Sequence, residues 1–290
     1  MVFIAGNLIA CEDWMPPVSP EAPLRPPAAT IAEDRGVHIA VDEALLSSSD
    51  QKELVFWSTD RGEGPEADLF ENVIYKSRVM IAFQSLLDRL QIRPGDQVLK
   101  LGAGHGWASV MAKSQVPTAH FAATDLSTDA IRTSELYEGL IGARLDEKWA
   151  CSAVSLPFSD NRFDLVFCFA AFDHFIIGLR YEAVLRQVHR VLKPGGRLVM
   201  LYEPSAPPIL YGRAKRRTES KRHVAQVDED VILIERLRRD AENFCFDVKV
   251  EFHPEYSQRI GIASTVYYYV LSAFPLLQKF LPCTINTKPR

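Results

Sequence analysis

The chain is 290 residues long, 47% hydrophobic and 24% charged, with a formal net charge of −4. That length holds one large α/β domain with extensions or two small domains, and the acidic balance argues against a surface built broadly for nucleic acid. The five cysteines, Cys11, Cys151, Cys168, Cys245 and Cys283, form no CxxC or Cys/His cluster, so no metal site or disulfide framework is expected and a reducing, cytoplasmic setting is.

Met1–Ala10 is apolar but has no basic flank and runs at once into Cys11-Glu12-Asp13, which does not fit a secretory signal. No other run reaches the roughly 18 apolar residues of a membrane-spanning helix. Residues 1–35, dense in proline from Pro16 to Pro27, read as a poorly ordered lead-in. Residues 36–94 read as a helical N-terminal region or lid. Part of 40–60 is helical, and apolar residues from Leu69 to Leu90 recur at helical spacing. After a turn at Arg93–Asp96, Gln97–Leu101 reads as a strand that breaks into Gly102-Ala103-Gly104-His105-Gly106. A helix Trp107–Gln115, a strand His120–Thr124, a helix Ser127–Leu140 and a short strand Trp149–Val154 follow. Phe163–Phe169 is a continuous apolar run, as expected of a strand buried on both faces. A helix Tyr181–Leu192 is closed by Lys193-Pro194-Gly195-Gly196, and Arg197–Tyr202 is the fifth strand. Beyond a basic insertion at 204–223, a helix Val231–Phe244 and a strand Phe246–Phe252 complete a core at 95–260. Residues 261–290 form an apolar, aromatic segment. Strands alternating with helices predict an α/β fold with a doubly wound, mostly parallel sheet.

Glycines at every second position let a backbone bend sharply and approach a ligand with no side chain between. Asp125 closes the next strand about twenty residues on, where an acid meets ribose hydroxyls in nucleotide-binding α/β folds. The dinucleotide fingerprint fails, because bulky Trp107 stands where its last glycine belongs. The series VLKLGAGHG, ATDLS, AVSLPFSDNRFDLVF and HRVLKPGGRLVMLYEPS instead resembles the class I S-adenosylmethionine-dependent methyltransferases, in particular the ubiquinone/menaquinone-biosynthesis branch, over residues 98–205. The resemblance implies a seven-stranded Rossmann-like sheet and S-adenosylmethionine as cofactor. It places Gly102, Ala103, Gly104 and Gly106 against the methionine and ribose, Asp125 on both ribose hydroxyls, and Leu126 on the adenine. Ser152 and Ala153 fall at the adenine edge, and Phe169 and Ala170 by the methionine. Lys100 stands where the family carries an acid facing the cofactor's ammonium, and Ser152 where an Asp commonly meets the adenine.

His174, just past the fourth strand at the ligand edge of the sheet, is the candidate catalytic base, because an imidazole titrates near working pH. Asp173 beside it orients it or caps a helix. Glu203, Tyr211 and Arg213 are read as substrate-binding. His105 reads as a turn residue, Trp57, Trp107 and Trp149 as core, and Tyr75 and Lys76 as residues that close over the cofactor. The run Arg213–His223 reads as a solvated helix face in a lid, or alternatively suits a phosphate, a carboxylated sugar or an anionic membrane. The expectation is a methyltransferase acting on oxygen of a small molecule, a glycan or glycolipid precursor being the acceptor suggested by the basic run beside an apolar tail. Peripheral contact with a membrane or lipid-linked substrate and a homodimer are further expectations, and nucleic acid is not expected as a partner. The alternative, from Lys100 and Ser152, is a noncatalytic binding protein on the same fold.

Overall fold

The computed structural model describes residues 2–8, 32–41, 46–60, 77–175, 180–206, 208–221 and 230–252. At its centre lie five parallel strands: β4 (Gln97–Leu101), β5 (His120–Asp125), β6 (Glu147–Ala150), β7 (Phe163–Phe169) and β8 (Leu192–Leu201). β1 (Val2–Leu8) pairs antiparallel with β8 on one side and with β11 (Phe246–Phe252) on the other. Seven strands thus run in the order β11-β1-β8-β7-β4-β5-β6, and the hairpin β2 (Ala32–Asp34) and β3 (Val37–Ile39) extends the β6 edge to nine. The mostly parallel α/β sheet is the architecture that the alternation of elements implied.

Strand alternation sorts the core into two layers. Leu99 and Leu101 of β4, with Val166 and Cys168 of β7, face Val184, Leu185 and Val188 of α6 (Arg180–Val191) and Leu237 and Ala241 of α8 (Ile234–Asn243). Val98, Leu165 and Phe167 face the other way, toward Phe83, Leu86 and Leu90 of α2 (Ser77–Leu90) and Val110 of α3 (Trp107–Gln115). A strand covered on both faces has no polar side to show, which is why FDLVFCF carries no alternation. The chain leaves β4 for β5 on one side and returns to β7 on the other, so the carboxyl ends of β4 and β7 flank the switch point where such sheets open a crevice.

Two motifs far apart in sequence are held together by one guanidinium. Arg190, on the last turn of α6, donates to the carbonyls of Phe158 (2.6 Å) and Leu156 (2.8 Å) and to Asp160 (2.9 Å). The LPF turn and the RVLKPGG segment are therefore one packing unit, with the Arg190 side chain only 11% exposed.

Several elements differ from the sequence reading. Val2–Leu8, expected inside a poorly ordered lead-in, is a strand flanked on both edges. The helix expected over Ser127–Leu140 is two, α4 (Thr128–Arg132), capped by the Ser127 hydroxyl, and α5 (Ser134–Ile141), with Thr133 at the joint. The third strand is Glu147–Ala150, not Trp149–Val154, because β5 pairs with Glu147–Ala150 and the chain turns at Ser152–Ser155. Lys193–Gly196 interrupts the β7–β8 ladder as an irregularity within β8, the register passing from Phe163↔Leu192 to Leu165↔Arg197. The basic insertion contains a short strand β9 (Ser205–Ala206) paired with β10 (Ile232–Leu233), and a helix α7 (Pro208–Lys221). Cys151 and Cys168 are free and buried. Residues 9–31 and the segment 261–290 lie outside the described residues, as do Tyr75 and Lys76.

Arg190→Ala strips two buried carbonyls of their donor at once. It should lower stability by about 1–3 kcal/mol, the cost of leaving such groups unsatisfied, read as a fall in the urea midpoint with an unchanged slope.

Candidate active site

At the carboxyl ends of β4, β5 and β7 lies a cavity of about 430 Å³. Its floor is the glycine turn. Ala103 donates its N–H to the carbonyl of Thr124 (2.8 Å), and Gly104 donates to Asp125 Oδ2 (2.7 Å). Gly102 has φ +56, and a Cβ there would stand 2.6 Å from the Ala171 methyl. Gly106 has φ +77, and a Cβ there would stand 2.5 Å from Ser134. Both positions require glycine on two counts, the left-handed backbone and the missing volume. Gly102, Ala103 and Gly104 line the cavity; Gly106 does not, serving as the left-handed N-cap of α3 beneath it.

Asp125, Leu126, Ser152, Ala153, Phe169 and Ala170 also line the cavity, so the expected cofactor residues meet there apart from Gly106 and Lys100. Asp125 is 8% exposed and its second oxygen accepts from Ser127 N–H (3.0 Å). Burial raises its pKa, while the amides of Ser127 and Gly104, then Lys100 and His105, pull it back. Phe169 stacks on Tyr202 at 5.3 Å and meets Trp107 edge-on at 5.3 Å. Ala170 and Tyr202, at the ends of β7 and β8, both hold left-handed backbones (φ +46 and +60) without being glycine, a strained arrangement of the kind found at binding sites.

Lys100 does not line the cavity. It is 1% exposed, and its ammonium donates to the carbonyls of Leu101 (2.7 Å) and Gly102 (2.6 Å) from below. Burial lowers its pKa, opposed by Cys168, Glu203 and Asp125. Glu203 likewise sits behind the cavity wall, 4% exposed, its carboxylate accepting from the N–H groups of Ala171 (3.2 Å), Phe172 (2.8 Å) and Asp173 (3.3 Å). Its position organises the turn that follows β7 rather than reaching a ligand. Tyr211 and Arg213 lie on α7 and are not among the cavity-lining residues; Arg213 is exposed, and Tyr211 sits under Lys215 at 5.9 Å.

His174 lines the cavity from a single 3-10 turn, Phe172–Phe175. Its Nδ1 is 3.6 Å from Glu53 Oε2, and its Nε2 is 3.9 Å from Asp173 Oδ1. Glu53 was not anticipated. It comes from α1 (Ser48–Val55), whose start is fixed by a reciprocal capping box between Ser47 and Asp50. The π-helical turn Phe56–Asp60 then carries Trp57 over the glycine turn, its ring 3.5 Å from where a Gly104 Cβ would be and edge-on to His105 at 4.8 Å. Trp57 and Trp107, expected in the core, line the cavity, as does His105, which is bonded to the Thr133 hydroxyl. The only hint of α1's role in the sequence was the spacing of Glu53 and Trp57, one helical turn apart.

The arrangement fits S-adenosylmethionine. A backbone cradle free of side chains, an acid beside it, and aromatic faces for a positively charged sulfur are present together. The family described as methyltransferase domain matches residues 99–200. A ubiquinone/menaquinone biosynthesis C-methyltransferase UbiE of Cupriavidus taiwanensis is 36% identical over 118 residues, covering 38% of this chain and 44% of that protein. The UbiE of Cupriavidus metallidurans is 31% identical over 166 residues, covering 50% and 64%. The chain thus spans about half the length of the curated relatives it matches. A structure of the Haloferax volcanii Trm112 methyltransferase activator in complex with a methyltransferase is similar in fold, at 18% identity and a TM-score of 0.51, with 68% of this chain and 75% of that one covered.

Burial, and then Asp173, push the Glu203 carboxyl up to about 8 from an ordinary 4.5, against its backbone donors and Lys100. Between those values the folded chain keeps a proton that the unfolded chain releases. Glu203's contribution to stability is therefore complete below about pH 4.5, erodes as pH rises, and is gone above about pH 8. Glu203→Gln cannot titrate, so its melting temperature should fall less steeply than the wild type's from pH 5 to 8 in scanning fluorimetry.

Proposed function

Built around a class I S-adenosylmethionine-dependent methyltransferase domain of the UbiE-like type, the chain, we propose, transfers a methyl group from that cofactor to a hydroxyl of a small-molecule acceptor. The observation that carries this reading is that His174 and the glycine turn face one cavity. Bound there, the cofactor supplies a methyl group on a positively charged sulfur. The residues that would hold it are the backbone of Gly102–Gly104, the Asp125 carboxylate, Leu126, Ser152 and Ala153, with the ring of Phe169 toward the charge.

The chain's own residues then have two tasks. Aligning donor and acceptor supplies much of the rate in an in-line displacement, and Trp57, Trp107, Phe169 and Tyr202 wall the cavity for that purpose. α1 and the turn after it contribute Ser49, Asp50, Glu53, Phe56 and Trp57 to the cavity wall. His174 takes the acceptor's hydroxyl proton. Among the described lining residues Asp50, Glu53 and Asp125 bring negative charge and no Lys or Arg appears, which favours an acceptor uncharged at its reacting end. A sugar hydroxyl of a glycan or glycolipid precursor meets that condition, with any anionic portion left to the exposed cations Arg213 and Arg216 of α7.

The noncatalytic alternative drew on Lys100 as a cation facing another cation. With the Lys100 ammonium satisfied by carbonyls beneath the turn, that objection weakens. Calorimetry with S-adenosylmethionine separates the two readings, since a noncatalytic protein would show no heat at millimolar ligand. Asp125→Ala removes charge-assisted hydrogen bonds and should weaken cofactor binding about tenfold or more; unchanged affinity would remove Asp125 from the site. His174→Ala should leave that affinity intact. With tritiated-methyl cofactor and a panel of small hydroxyl acceptors, it should cut turnover by about a hundredfold.

A further inference from the structure

We propose that Glu53, delivered by α1 from outside the methyltransferase-domain match, is the positioning residue for His174. Its carboxylate fixes which ring nitrogen carries the proton and stabilises the imidazolium once a second proton arrives. The proposal rests on the reading of His174 as base.

The two oxygens of Glu53 have separate tasks. Oε1 accepts from the Trp57 indole N–H at 3.1 Å, which locks the carboxylate's orientation within α1 and its following turn. Oε2 is left facing His174 Nδ1 at 3.6 Å. The histidine's backbone is held too, its N–H donating to the Ala171 carbonyl (3.3 Å) on a turn clamped by Glu203. A carboxylate at Nδ1 favours the tautomer with its proton on that nitrogen, leaving the Nε2 lone pair to accept the acceptor's proton. This division between an orienting acid and an accepting imidazole is what a base needs if it is to act in one defined direction.

Among the described residues, charged neighbours of the pair include Asp173, 3.9 Å from Nε2 on the histidine's own turn, and Asp125 from the end of β5. Burial raises the Glu53 pKa, His174 lowers it, Asp125 raises it, the Trp57 N–H lowers it and Asp173 raises it. The two side chains, about a quarter exposed each, therefore hold their protons in a linked way.

The test is nitrogen-detected NMR of the full-length chain labelled with 15N-histidine, the His174 signals being assigned by their loss in His174→Gln. In the wild type His174 should be the Nδ1–H tautomer. Glu53→Gln should erode that preference and lower the histidine's titration midpoint by about one pH unit, while Glu53→Asp should restore most of both. Identical tautomer and midpoint in wild type and Glu53→Gln would overturn the proposal. If Glu53→Gln shifts the histidine but His174→Ala retains turnover, the pairing stands and the assignment of His174 as base falls.

Discussion

The site depends on one close approach, that of the turn after β4 to the turn after β7. Gly102 has no room for a Cβ because the Ala171 methyl occupies the place where it would go. Two buried polar side chains hold the turns at that distance. Lys100 donates into the carbonyls of the first turn, and Glu203 accepts the amides of the second. Each group is expensive to bury without partners, and each is satisfied mainly by backbone groups. The backbone, not a pair of side chains, therefore carries the geometry. A lysine below the glycine turn and a glutamate behind the neighbouring one thus brace the two turns from inside the fold.

The same division explains the sign of the charge inside the cavity. With Lys100 turned away, the described acidic groups on the wall are not neutralised by a lining Lys or Arg. Negative charge on such a wall favours a positively charged sulfur and disfavours an anion, the more so in low-dielectric surroundings. Aromatic rings from four different segments, Trp57, Trp107, Phe169 and Tyr202, are part of the same wall.

Much of this was legible before folding. The strands at Gln97–Leu101 and Phe163–Phe169 and the helix at Trp107–Gln115 have the bounds their sequences imply. Each is delimited by a glycine, a proline or a sharp change of polarity. Asp125 and His174 were placed at the ligand edge because strand ends can be read from where apolar runs stop. Glu53 and Trp57 were not legible as site residues, since an amphipathic helix says nothing about which cavity it will cover. Lys100 was legible as an anomaly but not as a solution, because its partners are carbonyls that every residue possesses. Val2–Leu8 escaped notice for a related reason. Its pairing partners, β8 and β11, lie far along the chain, so no local pattern announces them.

That separation has a consequence for how the chain comes into being. β1 precedes β8 and β11 along the chain, so synthesis must reach both strands before its two edges are paired. Until then it is an apolar segment with open hydrogen-bonding edges, the form most prone to wrong pairing with another chain. The parallel strands between can assemble in the meantime, since β4 to β8 follow one another along the chain. Folding should therefore end with the two termini of the described domain closing over a finished nucleotide-binding half. Pairings of such long sequence separation are the slow ones.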